Sequence, residues 1–154
     1  MYFPNLTATV AVTSTQIKSM FTNPVLLVPG KTGCIVDLKS SWLVYHKGTI
    51  VYNPGAQDGL VFITGVLPNA FLNYVGDIVQ AQGFCDQTTD QIIESPGWWI
   101  SDASHQNSNP LSDVIGSGIY LWQYNALGTY PNGANWTLGN GTFTAYLEYA
   151  YIVA

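Results

Sequence analysis

The opening of the chain alternates. Leu6, Ala8, Val10 and Val12 fall on one side of an extended segment, and Thr7, Thr9, Ala11 and Thr13 on the other. Period two with β-branched residues predicts a half-buried strand over 6–13. The period then changes. Thr13 and Gln16 have the spacing of a capping box, and Val12 and Ile17 that of a hydrophobic staple. Ile17, Met20 and Phe21 share a helical face, so a short helix is expected over about 14–21, stopped by Asn23-Pro24. Val25–Val28 reads as a short apolar strand closed by Pro29-Gly30.

The longest pattern covers 35–47. Val36, Leu38, Trp42, Val44 and His46 are expected on one face, with Asp37, Lys39, Ser41 and Lys47 on the other. Lys47-Gly48 reads as a turn and Thr49–Tyr52 as the returning hairpin strand. Leu60–Thr64 reads as a buried strand after the Asn53-Pro54-Gly55 loop. The middle is less regular: a helical turn over 68–75, a strand at Ile78–Ala81, a capped turn from Thr88 and Gln91 through Glu94, a strand at Trp98–Ser101, and a polar loop over 102–113. Ile119–Asn125 is a two-sided strand, and a Gly/Asn/Pro connection follows over 128–140. Phe143, Ala145, Leu147, Tyr149, Tyr151 and Val153 then alternate with Thr142, Thr144 and Glu148 in a last strand about 12 residues long. Eight or nine strands with short helical insertions predict an all-β fold, a single jelly-roll-like β-sandwich occupying 1–154. Residues 1–5 read as an extended N-terminal arm.

Composition sharpens this picture. Charged residues make up 8% of the 154, against a typical ~25%. Tyr, Asn, Thr, Ser, Gln and Trp must therefore cover the outside, which suits a protein that works in contact with others. The net charge is −5, and all four cations are lysines. With no arginine and no basic surface, nucleic acid is not expected as a partner. No apolar run approaches the ~18 residues of a membrane span, so no membrane partner is expected either. The N-terminus lacks the basic and apolar regions of a secretory signal. Charge is uneven along the chain, formally +3 over 1–47 and −8 over 48–154. Lys18 and Lys31, with Lys39 and Lys47, could meet an acidic protein surface if they cluster.

Candidate chemistry adds little. Gly30-Lys31-Thr32 lacks the earlier glycine of a phosphate loop, since Val25 stands there. Gly116-Ser117-Gly118 lacks the outer spacing of a nucleophile elbow. His46 continues a strand and His105 lies in a polar loop, so no triad is assigned. The two histidines and two cysteines have no zinc spacing. Asp102, Asn107, Asn109 and Asp113 bring calcium-type oxygen ligands into one loop, but a solvated loop with asparagine turns is the preferred reading. Asp86, Asp90 and Glu94 read as exposed acids rather than a glycosidase pair. Cys34 and Cys85 are expected as buried free thiols, with a disulfide less favoured. No catalytic residue, cofactor or metal is assigned, and the chain is read as a non-enzyme. The aromatics are more informative. Trp98, Trp99, Trp122 and Trp136 gather in the second half, where aromatics on strands fill a core, anchor a subunit contact or stack on sugars.

Three stretches carry a resemblance. Thr13 to Gly30, which includes Asn23-Pro-Val-Leu-Leu-Val-Pro-Gly30, resembles the opening of small tailed-bacteriophage virion proteins. The strand from Gly33 to Lys47 with Gly48-Thr49 and Tyr52 continues it, as does Gly139-Asn-Gly-Thr-Phe-Thr-Ala-Tyr-Leu-Glu-Tyr149. The likeness covers both ends of the chain and leaves 65–115 unplaced. It implies a head decoration (cement) protein, or a tail or fibre protein, built as a trimeric jelly roll. On that expectation the partners are two further copies and the major capsid protein. The location is the virion surface after synthesis in the host cytoplasm. The interface would draw on Tyr2, Phe3 and Pro4 of the arm, on Lys18 and Lys31, and on Trp98, Trp99, Trp122 and Trp136. A host glycan enters only if the protein is a receptor-binding fibre module or a lectin-like domain.

Overall fold

The computed structural model describes residues 4–65, 75, 79–96, 111–125 and 134–154. The alternating opening becomes strand β1 (Leu6–Val12), and the period change becomes helix α1 (Ser14–Ser19). The capping box forms: the Thr13 hydroxyl accepts from Gln16 N at 3.3 Å, and the Gln16 side chain accepts from Thr13 N at 2.9 Å. Two of the four orphan amides at the helix start are thereby satisfied. Val12, Ile17 and Met20 are fully buried, so the cap also fixes the angle at which the chain enters the core.

Next come β2 (Val25–Val28), β3 (Cys34–His46), β4 (Asp58–Thr64), β5 (Val79–Gln80), β6 (Gln91–Pro96), the short turn α2 (Leu111–Val114), β7 (Ile119–Asn125) and β8 (Thr142–Val153). They form two four-stranded antiparallel sheets, in the orders β1-β8-β3-β6 and β2-β7-β4-β5. Leu43, Tyr45, Phe143 and Leu147 of the first sheet share one core with Leu27, Leu60, Phe62 and Leu121 of the second. Each such side chain removed from water contributes about 1.5–3 kcal/mol. The protein is thus a mostly β sandwich. A second cluster, Phe21, Val61, Ile63 and Trp122, lies on the far side of the β2-β7-β4-β5 sheet. This explains why every residue of β4 is buried.

Four sequence expectations are corrected. The first is the phase of β3. Register against β8 runs Leu38↔Tyr149 and then Ser40↔Glu148, so Lys39 is an extra residue in a β-bulge. Because strand side chains alternate with period two, one inserted residue exchanges the faces of everything after it. Ser41, Leu43 and Tyr45 therefore point into the core, while Trp42 and His46 are exposed and Val44 is half-buried. The second is the hairpin at Thr49–Tyr52. Both edges of β3 are already paired, with β8 and β6, and the chain instead crosses to β4 in the other sheet. Asn140 fastens that crossing: its side chain accepts from Ile50 N at 2.9 Å and donates to Thr49 Oγ1 at 2.8 Å. The third is the capped turn from Thr88 to Glu94. Gln91–Pro96 pairs with β3 as strand β6, because ladder bonds outnumber what a single local cap supplies. The fourth is the end of the 102–113 polar loop, where Leu111–Val114 closes one helical turn.

The strand at Ile78–Ala81 is confined to two residues, and the helix over 14–21 ends at Ser19. The expectations for 68–74 and 98–101, and the loop up to 110, lie outside the described residues. Cys34 and Cys85 are buried and free, as the residues imply. Among the described residues no helix is long and apolar enough to cross a membrane.

Candidate interaction surface

The β3 bulge decides what the outer face of the β1-β8-β3-β6 sheet displays. Past Lys39 the outward residues are Ser40, Trp42, Val44 and His46. Register then places Trp42 beside Tyr146 of β8 and Glu94 of β6, and Tyr146 beside Thr9 of β1. The adjacent row is Ala11, Thr144, Val44 and Ile92. Trp42 is 38% exposed, Tyr146 41% and Ile92 68%. Trp42 and Tyr146 are directly opposed, ~4.5–5.5 Å apart at Cβ, while Ile92 lies opposite Val44 and on the diagonal from Trp42 at ~7–8 Å, within reach of a long side chain.

Polar groups around the centre are tethered. The Asn5 side-chain amide donates to Glu148 Oε1 at 2.6 Å, and the Ser40 hydroxyl to Glu148 Oε2 at 3.4 Å. His46 Nε2 lies 2.9 Å from Thr144 Oγ1, and Nδ1 lies 3.8 Å from Asp90 Oδ2. Asp90 in turn accepts from Lys47 N at 2.9 Å. A flat aromatic centre with a hydrogen-bonded polar border is the composition of a protein contact or of a ring-stacking platform.

The side chains expected at an interface are dispersed. Trp122 is 4% exposed in the second cluster, stacks with Phe21 and donates its indole N–H to Phe21 O at 3.0 Å. Trp136 is 4% exposed in the main core and donates to Asp58 Oδ2 at 2.7 Å. Both indoles are turned inward because each N–H finds its acceptor there, so neither ring is presented at the surface. Pro4 and Lys31 are exposed, and Lys18 is half-buried at the end of α1. The Lys31 ammonium sits 5.3 Å from the Tyr151 ring centroid, whose hydroxyl donates to Pro29 O at 2.9 Å. Burial pushes the Tyr151 phenol above its ordinary pKa. Lys31 and Lys47 stand at opposite ends of the 13-residue β3, whose extended length is at most about 40 Å. The four lysines therefore make no single basic patch, and Lys39 pairs with Asp37. Tyr2, Phe3, Trp98 and Trp99 lie outside the described residues.

Sequence reasoning missed Tyr146 and Ile92 and put Trp42 on the wrong face. A signal existed: Tyr146 occupies the polar phase of β8, between Thr144 and Glu148, where an aromatic has no core to fill. Among the described residues no group of three His, Cys, Asp or Glu side chains is placed to hold a metal ion. No family model, no curated protein and no solved structure matches this chain.

Proposed function

We propose that this chain is a structural virion protein, a decoration or cement protein that binds the outside of an assembled phage capsid as a homotrimer. The observation that carries this reading is the exposed Trp42, Tyr146 and Ile92 surface, with the carboxylates of Glu94 and Glu148 at its border. Contiguous apolar surface of this kind marks a contact site on a folded protein. Covering each of these side chains contributes up to about 1.5–3 kcal/mol, which three copies meeting around an axis would collect three times.

The strand orders support the finer fold assignment. Strands 1, 3, 6 and 8 lie in one sheet and 2, 4, 5 and 7 in the other, in the orders β1-β8-β3-β6 and β2-β7-β4-β5. That alternation is what two interleaved Greek keys would produce, and it supports reading the sandwich as a jelly roll. In the proposed mechanism no bond is made or broken. Each trimer binds only the assembled lattice of the major capsid protein, and many small contacts stabilise the shell by mass action. The arm with Tyr2, Phe3 and Pro4 is proposed to reach a neighbour.

Quantitative mass spectrometry of purified particles tests the proposal. A copy number comparable to the major capsid protein is expected, and absence from particles overturns it. A second reading, a receptor-binding fibre module, is favoured by Trp42 and Tyr146 lying side by side with Glu94 adjacent, since aromatic rings stack on sugars while carboxylates accept from hydroxyls. It requires a few copies per particle and glycan binding that Trp42→Ala abolishes.

A further inference from the structure

We infer that the edge of β1 left unpaired among the described residues pairs antiparallel with β1 of a second copy across a two-fold axis, joining two four-stranded sheets into one of eight strands. This contact runs through the backbone edge of β1, whose Thr9 and Ala11 also border the Trp42 surface, and it does not depend on the function proposed above.

The inference rests on how the four sheet edges differ. A strand edge displays unpaired N–H and C=O groups, and proteins guard it with shortness, charge, proline or a bulge. β5 is two residues long, and β2 is four residues long with a register break between Leu26 and Val28. β6 carries Glu94 and ends at Pro96. β1 has none of these devices. It is seven residues, Leu-Thr-Ala-Thr-Val-Ala-Val, paired to β8 in unbroken register. Among the described residues it pairs on one side only. The core is also open here. Leu6 is 37% exposed and Ala8 and Val10 are half-buried, although all three share the face of fully buried Val12. An added strand would cover apolar surface as well as complete the ladder.

The occupant follows from the sequence of β1 itself. Antiparallel pairing centred on Thr9 sets Leu6 against Val12, Thr7 against Ala11 and Ala8 against Val10. Core-facing residues then meet core-facing residues, and outward residues meet outward ones. No charge opposes its own copy, in a chain whose net charge of −5 would otherwise resist self-contact. The same strand in a second copy is therefore a complete partner, and the two Trp42 surfaces fall on the same side of the joined sheet.

The test is site-directed cross-linking with sedimentation analysis of the full chain. Thr9 is exposed, and the native thiols are buried. Thr9→Cys treated with a short bis-maleimide is expected to give a covalent two-chain product, whereas Thr32→Cys, exposed in the connection before β3, is not. Thr9→Lys sets two ammonium groups against each other at the axis and is expected to weaken two-fold association at least tenfold, with an unchanged circular dichroism spectrum. Ala11→Lys, which meets Thr7 rather than itself, is expected to weaken it less. The inference is overturned if Thr9→Cys yields no linked pair, or if Thr9→Lys leaves the association unchanged. It is also overturned if the edge takes up a foreign extended peptide while the chain shows no two-fold association.

Discussion

Tyr52 shows how much of one end of the sandwich hangs on single atoms. Its ring is 2% exposed and meets Tyr45, Trp136 and Phe143. Its hydroxyl donates to Gly141 O at 2.6 Å, tying the connection before β4 to the start of β8. Tyr52→Phe leaves that carbonyl without its donor and is expected to cost about 1–3 kcal/mol in urea unfolding. Gly139 lies against the same ring at φ +109°, and any Cβ there would run into it. Gly139→Ala therefore adds a collision to a backbone angle that side chains avoid, and is expected to cost more than Tyr52→Phe in the same assay. Proton linkage gives a third expectation. Burial pushes the Tyr52 phenol and the Cys85 thiol well above their ordinary pKa values. Unfolded, they release protons from about pH 10 and pH 8.5. Above those values the unfolded chain binds fewer protons than the folded one, so stability falls with rising pH until the folded-state groups also ionise. Melting temperature is expected to be flat with respect to these groups at neutral pH and to decline above about pH 8.5. Cys85→Ala should delay the onset towards pH 10.

At the scale of elements, what could be read from sequence was what local physics decides. α1 was legible because Thr13 and Gln16 satisfy each other within four residues, and its cap is testable: Thr13→Ala is expected to cost about 0.5–2 kcal/mol. β1 and β8 were legible because a period of two survives into the fold, and β2 and β7 because short apolar runs are bounded by turn residues. The failures share another cause. The Lys39 bulge has no composition of its own, and it exists because β8 pairs with β3 from more than a hundred residues away. A reader who continues the period across it places Trp42 inside. β6 and the 47–57 crossing were misread for the same reason, since a vacant ladder edge on β3 and the side chain of Asn140 outweigh local turn signals. The candidate surface was hidden by these errors together, because Trp42, Tyr146 and Ile92 become neighbours only once the bulge and the β3–β6 pairing are known.

At the scale of the whole molecule, inward and outward tryptophans should respond to mutation in opposite ways. Trp122 is enclosed by Phe21, Val61 and Ile63, and Trp122→Ala removes a packed indole that also holds Phe21 O. A loss of about 3–5 kcal/mol is expected for it in urea unfolding of the protomer. Trp42 is exposed, and Trp42→Ala combined with Ile92→Ser takes little from the protomer's own core. That double variant is expected to keep the unfolding midpoint measured under dissociating dilution while abolishing three-fold association, leaving two chains joined through β1 as the largest species. Salt separates an apolar contact from a charged one. Screening at 1 M shortens the Debye length to ~3 Å and loosens lysine–carboxylate contacts, whereas contacts through Trp42, Tyr146 and Ile92 persist. A native mass that falls in high salt but ignores the double variant would assign the association to Lys18 and Lys31 instead. A three-fold association that survives 1 M salt and is lost in the double variant places the contact on the outer face that the Lys39 bulge turns outward.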